Sequence, residues 1–340
     1  MPTSHSRVAG SLAAGAALVA LAACDLPFGL GLPSTRTLES GAEASLSGAT
    51  SFEITGGYVD VTDVRWTMDL QLVRQPSAEH VVASASGTTS AGDTKVEAII
   101  ISDAAYYRGQ QFLAQHMGSD PLSQNLVKVA GNSWWKGFAG PVPRLPDFTD
   151  GTTFRSTFLG STVTRRSDHT SVDGVSAVLM SSPRADVFIS AIAPYQVLRV
   201  HTLNGAVIDG IAEADLRFSN FNKDFQIKAP ADVIDFSNLS TLPPVYTVVS
   251  VDTSACASPC VLSARLKNIG GMSGARSPSV VTITVAEPAT GKVAGSCKAQ
   301  VVPDVGYNST TNVSCTISDL NTQPLNAATV TATVDNPGRG

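Results

Sequence analysis

Val64-Arg65-Trp66-Thr67-Met68-Asp69-Leu70-Gln71-Leu72 alternates apolar and polar side chains along its length. A period of two belongs to a strand with one buried face, because successive side chains of a pleated backbone point to opposite sides. The pattern predicts Trp66, Met68, Leu70 and Leu72 on one face and Arg65, Asp69 and Gln71 on the other. Similar segments near 79–87, 93–101 and 104–108 carry the alternation onward. Further strands read at 161–168, 174–182, 186–191, 196–202 and 207–219, with turns at Asp173-Gly174, Ser182-Pro183 and Asn204-Gly205. Asn-Gly between apolar strands is a strong hairpin signal, since both residues tolerate positive φ. Helical spacing is confined to Leu38, Ala42 and Leu46 behind a cap at Thr37, to 121–129 with Pro121 in its first turn, and to 147–159. Residues 36–236 are therefore predicted as an α+β domain, a long antiparallel sheet crossed by a few helices.

Upstream of this domain, Arg7 precedes an uncharged run, SLAAGAALVALAA, that ends at Cys24. A basic start, a short apolar core and small residues before the cut are the order of a secretory signal. The run is shorter than the roughly 20 apolar residues of a spanning helix, so residues 1–23 read as a removable signal peptide. Leu21-Ala22-Ala23-Cys24 resembles the lipobox of bacterial lipoprotein precursors, which implies lipid on the Cys24 thiol. Residues 24–35 then form a Gly- and Pro-containing tether. The implied location is extracytoplasmic, lipid-anchored to the outer face of the cytoplasmic membrane. Removing the signal takes away Arg7 and no acid, so a net charge of −5 becomes −6. With no basic run, nucleic acid is not an expected partner.

Downstream, residues 237–245 hold Pro243-Pro244 and read as a stiff connector. Residues 246–340 are all-β by pattern, with strands at 246–252, 261–267, 279–287, 292–302, 310–318 and 327–334 and turns at 268–271 and 289–291. So many short strands point to an immunoglobulin-like sandwich. Four cysteines lie here, Cys256, Cys260, Cys297 and Cys315, and an even number outside the cytoplasm reads as two disulfides. Three pairings are open. The favoured one joins Cys256 to Cys260 around Ser258-Pro259 and Cys297 to Cys315 across two strands. The spacing lacks the Cys-x-x-Cys pairs of zinc modules, and no metal is expected.

The order of features in 36–236 resembles the LppX/LprG-type lipoproteins, relatives of the LolA/LolB carriers. It comprises the lipobox, the N-terminal helix, the strands around Trp66, Ala105-Tyr106-Tyr107-Arg108-Gly109, Ser133-Trp134-Trp135-Lys136, Asp173-Gly174-Val175, and Ala229-Pro230-Ala231-Asp232-Val233 near the end. The resemblance implies a curved half-barrel sheet with helices packed into its concave side and an apolar cavity that takes an acyl chain or lipid. Trp66, Met68, Leu70, Leu72, Ile100, Leu179 and Phe188 are the expected wall. Residues 262–270 onward resemble CARDB-type immunoglobulin-like modules. Such a module implies a protein or cell-wall partner, and it is absent from the short single-domain carriers.

Motifs of catalysis are sparse. Ser133-Trp134-Trp135-Lys136 fits Ser-x-x-Lys, but in a strand positions three apart face opposite sides. Asp168-His169 with Ser171 is local in sequence, whereas triads are assembled from distant segments. His80, His116, His169 and His201 are scattered. The expected function is binding without catalytic residues or cofactor, either of lipid for carriage or presentation or, alternatively, of a protein or cell-wall partner by an envelope surface-interaction or stress-sensing protein without lipid carriage.

Overall fold

Strand β1 (Ser51–Asp60) organises the sheet around the segment that opens the sequence reading. It lies between β2 (Arg65–Arg74) and β11 (Ile211–Ser219), antiparallel to both. A Cβ on Gly56 would come within 2.0 Å of the Asp215 carbonyl oxygen, at a φ of +147, so only glycine lets β1 approach β11 here. The structure is a computed structural model, and it describes residues 31–86, 94–137, 143–203, 205–257, 259–288, 290–320 and 328–339. The signal segment 1–23, Cys24 and most of the tether lie outside the described residues, as do Asn204, Ser258 and Ala289 of the predicted turns.

The protein is mostly antiparallel sheet with few helices, packed as two compact units. One joins the chain up to Gly48 with Asp147–Val200; the other joins Ala49–Pro146 with His201–Gly340. In the first, helix α1 (Thr35–Gly48) buries Leu38, Ala42 and Leu46, the residues its periodicity marks. The predicted 147–159 helix is a short α4 (Gly151–Phe154), capped by Asp150, that continues as a π-helical turn, Arg155–Leu159. The Gly151 N–H donates to Ser47 Oγ at 3.0 Å, and Arg155 pairs with Glu39 and Glu43, so α1 and α4 are tied at both ends of their contact. Strands β7 (Arg165–Val172), β8 (Val175–Ser181), β9 (Ala185–Ser190) and β10 (Val197–Thr202) complete this unit, in the order β10-β9-β8-β7.

In the second unit the strands run β6-β5-β4-β3-β2-β1-β11, adding β3 (Ser77–Ser86), β4 (Thr94–Ile101), β5 (Ala104–Arg108) and a short β6 (Trp135–Gly137). Helices α2 (Gln110–His116) and α3 (Pro121–Ala130) lie between β5 and β6 in sequence and pack on each other. Asp120 caps α3, accepting from the Leu122 and Ser123 N–H groups at 3.0 Å each, with Pro121 in the first turn where its missing N–H costs nothing.

The predicted connector is packed rather than solvated. It contains a 3₁₀ turn at Leu239–Thr241, and Leu242, Pro243, Pro244 and Val245 are buried. Beyond it come two three-stranded sheets. One has the order β12-β13-β16 (Tyr246–Asp252, Cys260–Asn268, Thr310–Ile317), the other β15-β14-β17 (Val293–Gln300, Val280–Ala286, Thr329–Asp335). They share one core that includes Leu262, Leu266, Val281 and Ile283. Cys256 is bonded to Cys260, and Cys297 on β15 is bonded to Cys315 on β16, so the second bridge staples the two sheets together. Fully buried Asn268 accepts from the Val245 and Gly270 N–H groups and donates to the carbonyls of Gly271 and Val305, fixing the loops at one end of this sandwich.

Candidate functional site

Register places five of the seven expected wall residues on one face. Leu70 lies opposite Ile54 on one side and Val81 on the other, and Val81 opposite Ala98. Met68 faces Ala83, Trp66 faces Ala85, and Leu72 connects through Glu79 to Ile100. The same face continues through Tyr107 to Trp135 on β6. Met68 and Leu70 are buried, while Trp66, Leu72 and Ile100 remain partly open. The strip between them is built from small side chains, Ala83, Ala85, Ala98 and Ala105. The Trp66 indole N–H is satisfied by Asp60 at 2.8 Å, which fixes the ring at the end of its strand.

Leu179 and Phe188 belong to the other unit. They pair with each other across β8 and β9, on the face opposite fully buried Val178, Met180, Val187 and Ile189. Phe188 packs on Val172, Ala177 and Leu198, with the Arg199 guanidinium 5.5 Å from its ring.

Sequence reasoning missed an aromatic group at the β5–β6 end of the apolar face. Tyr107 and Trp135 have ring centroids 4.7 Å apart, Phe112 of α2 lies 5.9 Å from Tyr107, and Phe236 lies 6.3 Å from Trp135. The Tyr107 hydroxyl is pushed up to about 12 by burial, against the pull of Arg144. Trp135 is only 7% exposed, and its indole N–H has no acceptor among the described residues. A buried donor without a partner forgoes about 1–3 kcal/mol.

The opposite face of the same strands carries a polar ladder. Gln71 donates to Glu53 at 3.2 Å, His80 Nε2 lies 2.9 Å from Glu97 Oε1, and Arg108 pairs with Glu97 while its guanidinium sits 4.8 Å from the Trp134 ring. Burial pushes the Glu97 carboxyl up, but the hydrogen bonds from Arg108 and His80 outweigh it and hold it below its ordinary value. Asp69 goes the other way: burial and the adjacent Glu53 carboxyl both raise it.

The weak catalytic motifs stay separate. Lys136 is exposed beside buried Trp135, and Asp168-His169 forms a bulge in β7, with His169 at a φ of 61. Among the described residues no group of three or more His, Cys, Asp or Glu is placed to hold a metal ion, and no helix is long and apolar enough to cross a membrane. A polar cavity of about 590 Å³ lies within the second unit, lined by Asp232, Ser240, Thr241, Ser273 and Arg339 among others.

No family model and no curated protein matches the chain. It is similar to solved structures at low identity. LprF from Mycobacterium bovis shows 16% identity and a TM-score of 0.37, over 59% of this chain and 100% of that one. An uncharacterized conserved protein from Thermus thermophilus shows 15% and 0.28, over 60% and 99%. The MucA/MucB complex of Pseudomonas aeruginosa shows 12% and 0.25, over 89% and 98%. Scores this low give the likenesses no weight in assigning fold or function.

Proposed function

We propose that this chain is an extracytoplasmic lipoprotein, anchored through Cys24, that shelters an acyl chain on the apolar face of β1–β6 and performs no covalent chemistry. The observation that carries this reading is the face itself: apolar across successive strands, narrow in side chain at Ala83, Ala85, Ala98 and Ala105, and partly open at Trp66, Leu72 and Ile100. Its order of sequence features, with the resemblance to LppX/LprG-type lipoproteins and their half-barrel sheets, points the same way. Burying a chain of about a dozen methylenes contributes roughly 10 kcal/mol before ordering costs, so a modest cleft suffices. The Trp135 N–H, without an acceptor among the described residues, supplies a donor for an ester carbonyl at one end of such a chain.

The test is native mass spectrometry of the chain from residue 25 onward, purified from a bacterial host, followed by solvent extraction. We expect a stoichiometric co-purifying lipid, and a lower load in Leu70→Asn with unchanged circular dichroism. A lipid-free protein that also refuses added lipid overturns the reading. That outcome favours a second one, in which the sandwich binds a protein or cell-wall partner. Its support is the exposure of Val249, Met272, Val293, Val302 and Tyr307, all on the sandwich.

A further inference from the structure

Residues 336–339 leave the sandwich and lie against the C-terminal turn of α3. Asn336 anchors the departure: it is buried, accepts from the Tyr246 N–H at 2.9 Å and from Ser279 Oγ at 3.0 Å, and donates to the Tyr246 carbonyl. Two residues later, Gly338 sits at a φ of +74 against α3, where a Cβ would stand 2.8 Å from the Val129 carbonyl oxygen. Arg339 then donates its backbone N–H to that same carbonyl at 3.1 Å. The last four carbonyls of a helix have no partner within it, so the tail satisfies an acceptor that α3 cannot satisfy itself. On its other side the tail bonds the sandwich, with the Arg276 N–H donating to Gly338 O and Ala275 bridging Arg339. The Arg339 guanidinium reaches the carbonyl of Asp232 at 2.6 Å and that of Thr241 at 3.4 Å.

Both elements that Arg339 grips border the aromatic end of the apolar face. The segment at 234 pairs with β6, through the Lys136 N–H on Ile234 O and the Ile234 N–H on Trp134 O, and carries Phe236 against Trp135. Helix α3 packs on α2, which places Phe112 against Tyr107 and within 6.2 Å of Trp135. The one ion pair here, Lys128 with Asp335, is exposed on both sides and adds little beside the buried backbone bonds.

We propose that residues 336–339 are a latch by which the sandwich holds α3, and through it α2, closed over the β4–β6 end of the apolar face. This rests on the ligand-binding reading only for what the latch guards; the latch itself is a mechanical claim. Releasing the tail frees the C-terminus of α3 while leaving both the sandwich core and the sheet intact. An acyl ligand then enters and leaves faster.

Hydrogen–deuterium exchange of the full mature chain separates the two claims. In Gly338→Val, whose added Cβ would meet the Val129 carbonyl oxygen at 2.8 Å, amides of 121–130 should exchange about tenfold faster, the loss of one hydrogen bond, while amides of 261–267 keep their protection. Arg339→Ala, which keeps the backbone N–H on Val129 but loses the bonds to Asp232 and Thr241, should give a smaller increase. Entry of the fluorescent fatty acid 11-(dansylamino)undecanoic acid should speed up by a similar factor. Unchanged exchange in α3 in Gly338→Val, whose added Cβ meets α3 backbone and leaves the sandwich core untouched, overturns the latch. Faster α3 exchange with unchanged probe entry overturns its gating role. A probe that binds neither wild type nor variant defeats the ligand reading, and exchange in α3 still decides the latch.

Discussion

Asp69 shows how a single side chain reports on its face of the sheet. Its Oδ1 is buried with no hydrogen-bond partner among the described residues, and burial together with the neighbouring Glu53 carboxyl raises it above its ordinary 3.8. A carboxyl whose folded pKa lies above its unfolded value holds its proton more tightly when folded. Its contribution to stability is complete below the unfolded value and is lost as pH rises through the folded one. Asp69→Asn should therefore raise the melting temperature at neutral pH, and the gain should vanish in melts near pH 3, where the wild-type carboxyl is also neutral. A gain that is equal at both pH values would place its origin in packing rather than in the charge. Glu97 has the opposite sign. Its lowered pKa stabilises the fold above the unfolded value, and that share is lost as acid titrates the carboxyl away from Arg108 and His80.

At the scale of elements, the two disulfides differ in what they close. Cys297–Cys315 spans 18 residues and joins strands of different sheets, whereas Cys256–Cys260 spans 4. Loop-closure entropy makes the first worth about 3 kcal/mol and the second about 2. Replacing Cys297 and Cys315 together by alanine should lower the denaturant midpoint of the sandwich more than replacing Cys256 and Cys260; the reverse order would show that native contacts, not chain entropy, set their worth. Both bridges were legible in the sequence because spacing and predicted strands agreed. Strand β2 was legible for a similar reason, since strict alternation admits one structure. Strand β1 was not. Gly56-Gly57 interrupts its alternation, and Gly56 is there to let β11 approach. Helix α2 escaped because its seven residues have few apolar positions and its Gly109 start offers no side-chain cap. The strand predicted from 207 begins at Ile211, because Val207 is exposed and turn residues intervene.

At the scale of the whole molecule, the pattern told which residues are apolar but not which of them share a surface. Leu72 and Ile100 are brought onto one face by register, through Glu79, while Leu179 and Phe188, equally apolar in sequence, are assigned by packing to a different unit. No local period carries that information, since it depends on contacts between segments far apart in the chain. The proposed anchor is the converse case, written entirely in consecutive residues. Leu21-Ala22-Ala23-Cys24 follows an apolar run too short to span a bilayer, and no helix among the described residues is long and apolar enough to cross one. On the proposed lipidation, membrane attachment should depend on one thiol. A single acyl chain binds only marginally, and each buried CH₂ adds about 0.8 kcal/mol, so two chains on Cys24 hold firmly and none holds at all. Cys24→Ser should move the chain from the membrane fraction to the soluble one and abolish labelling by radioactive palmitate. Persistence of Cys24→Ser in salt-washed membranes would mean that attachment runs through the folded chain, and the exposed apolar residues of the sandwich would become the surface to map.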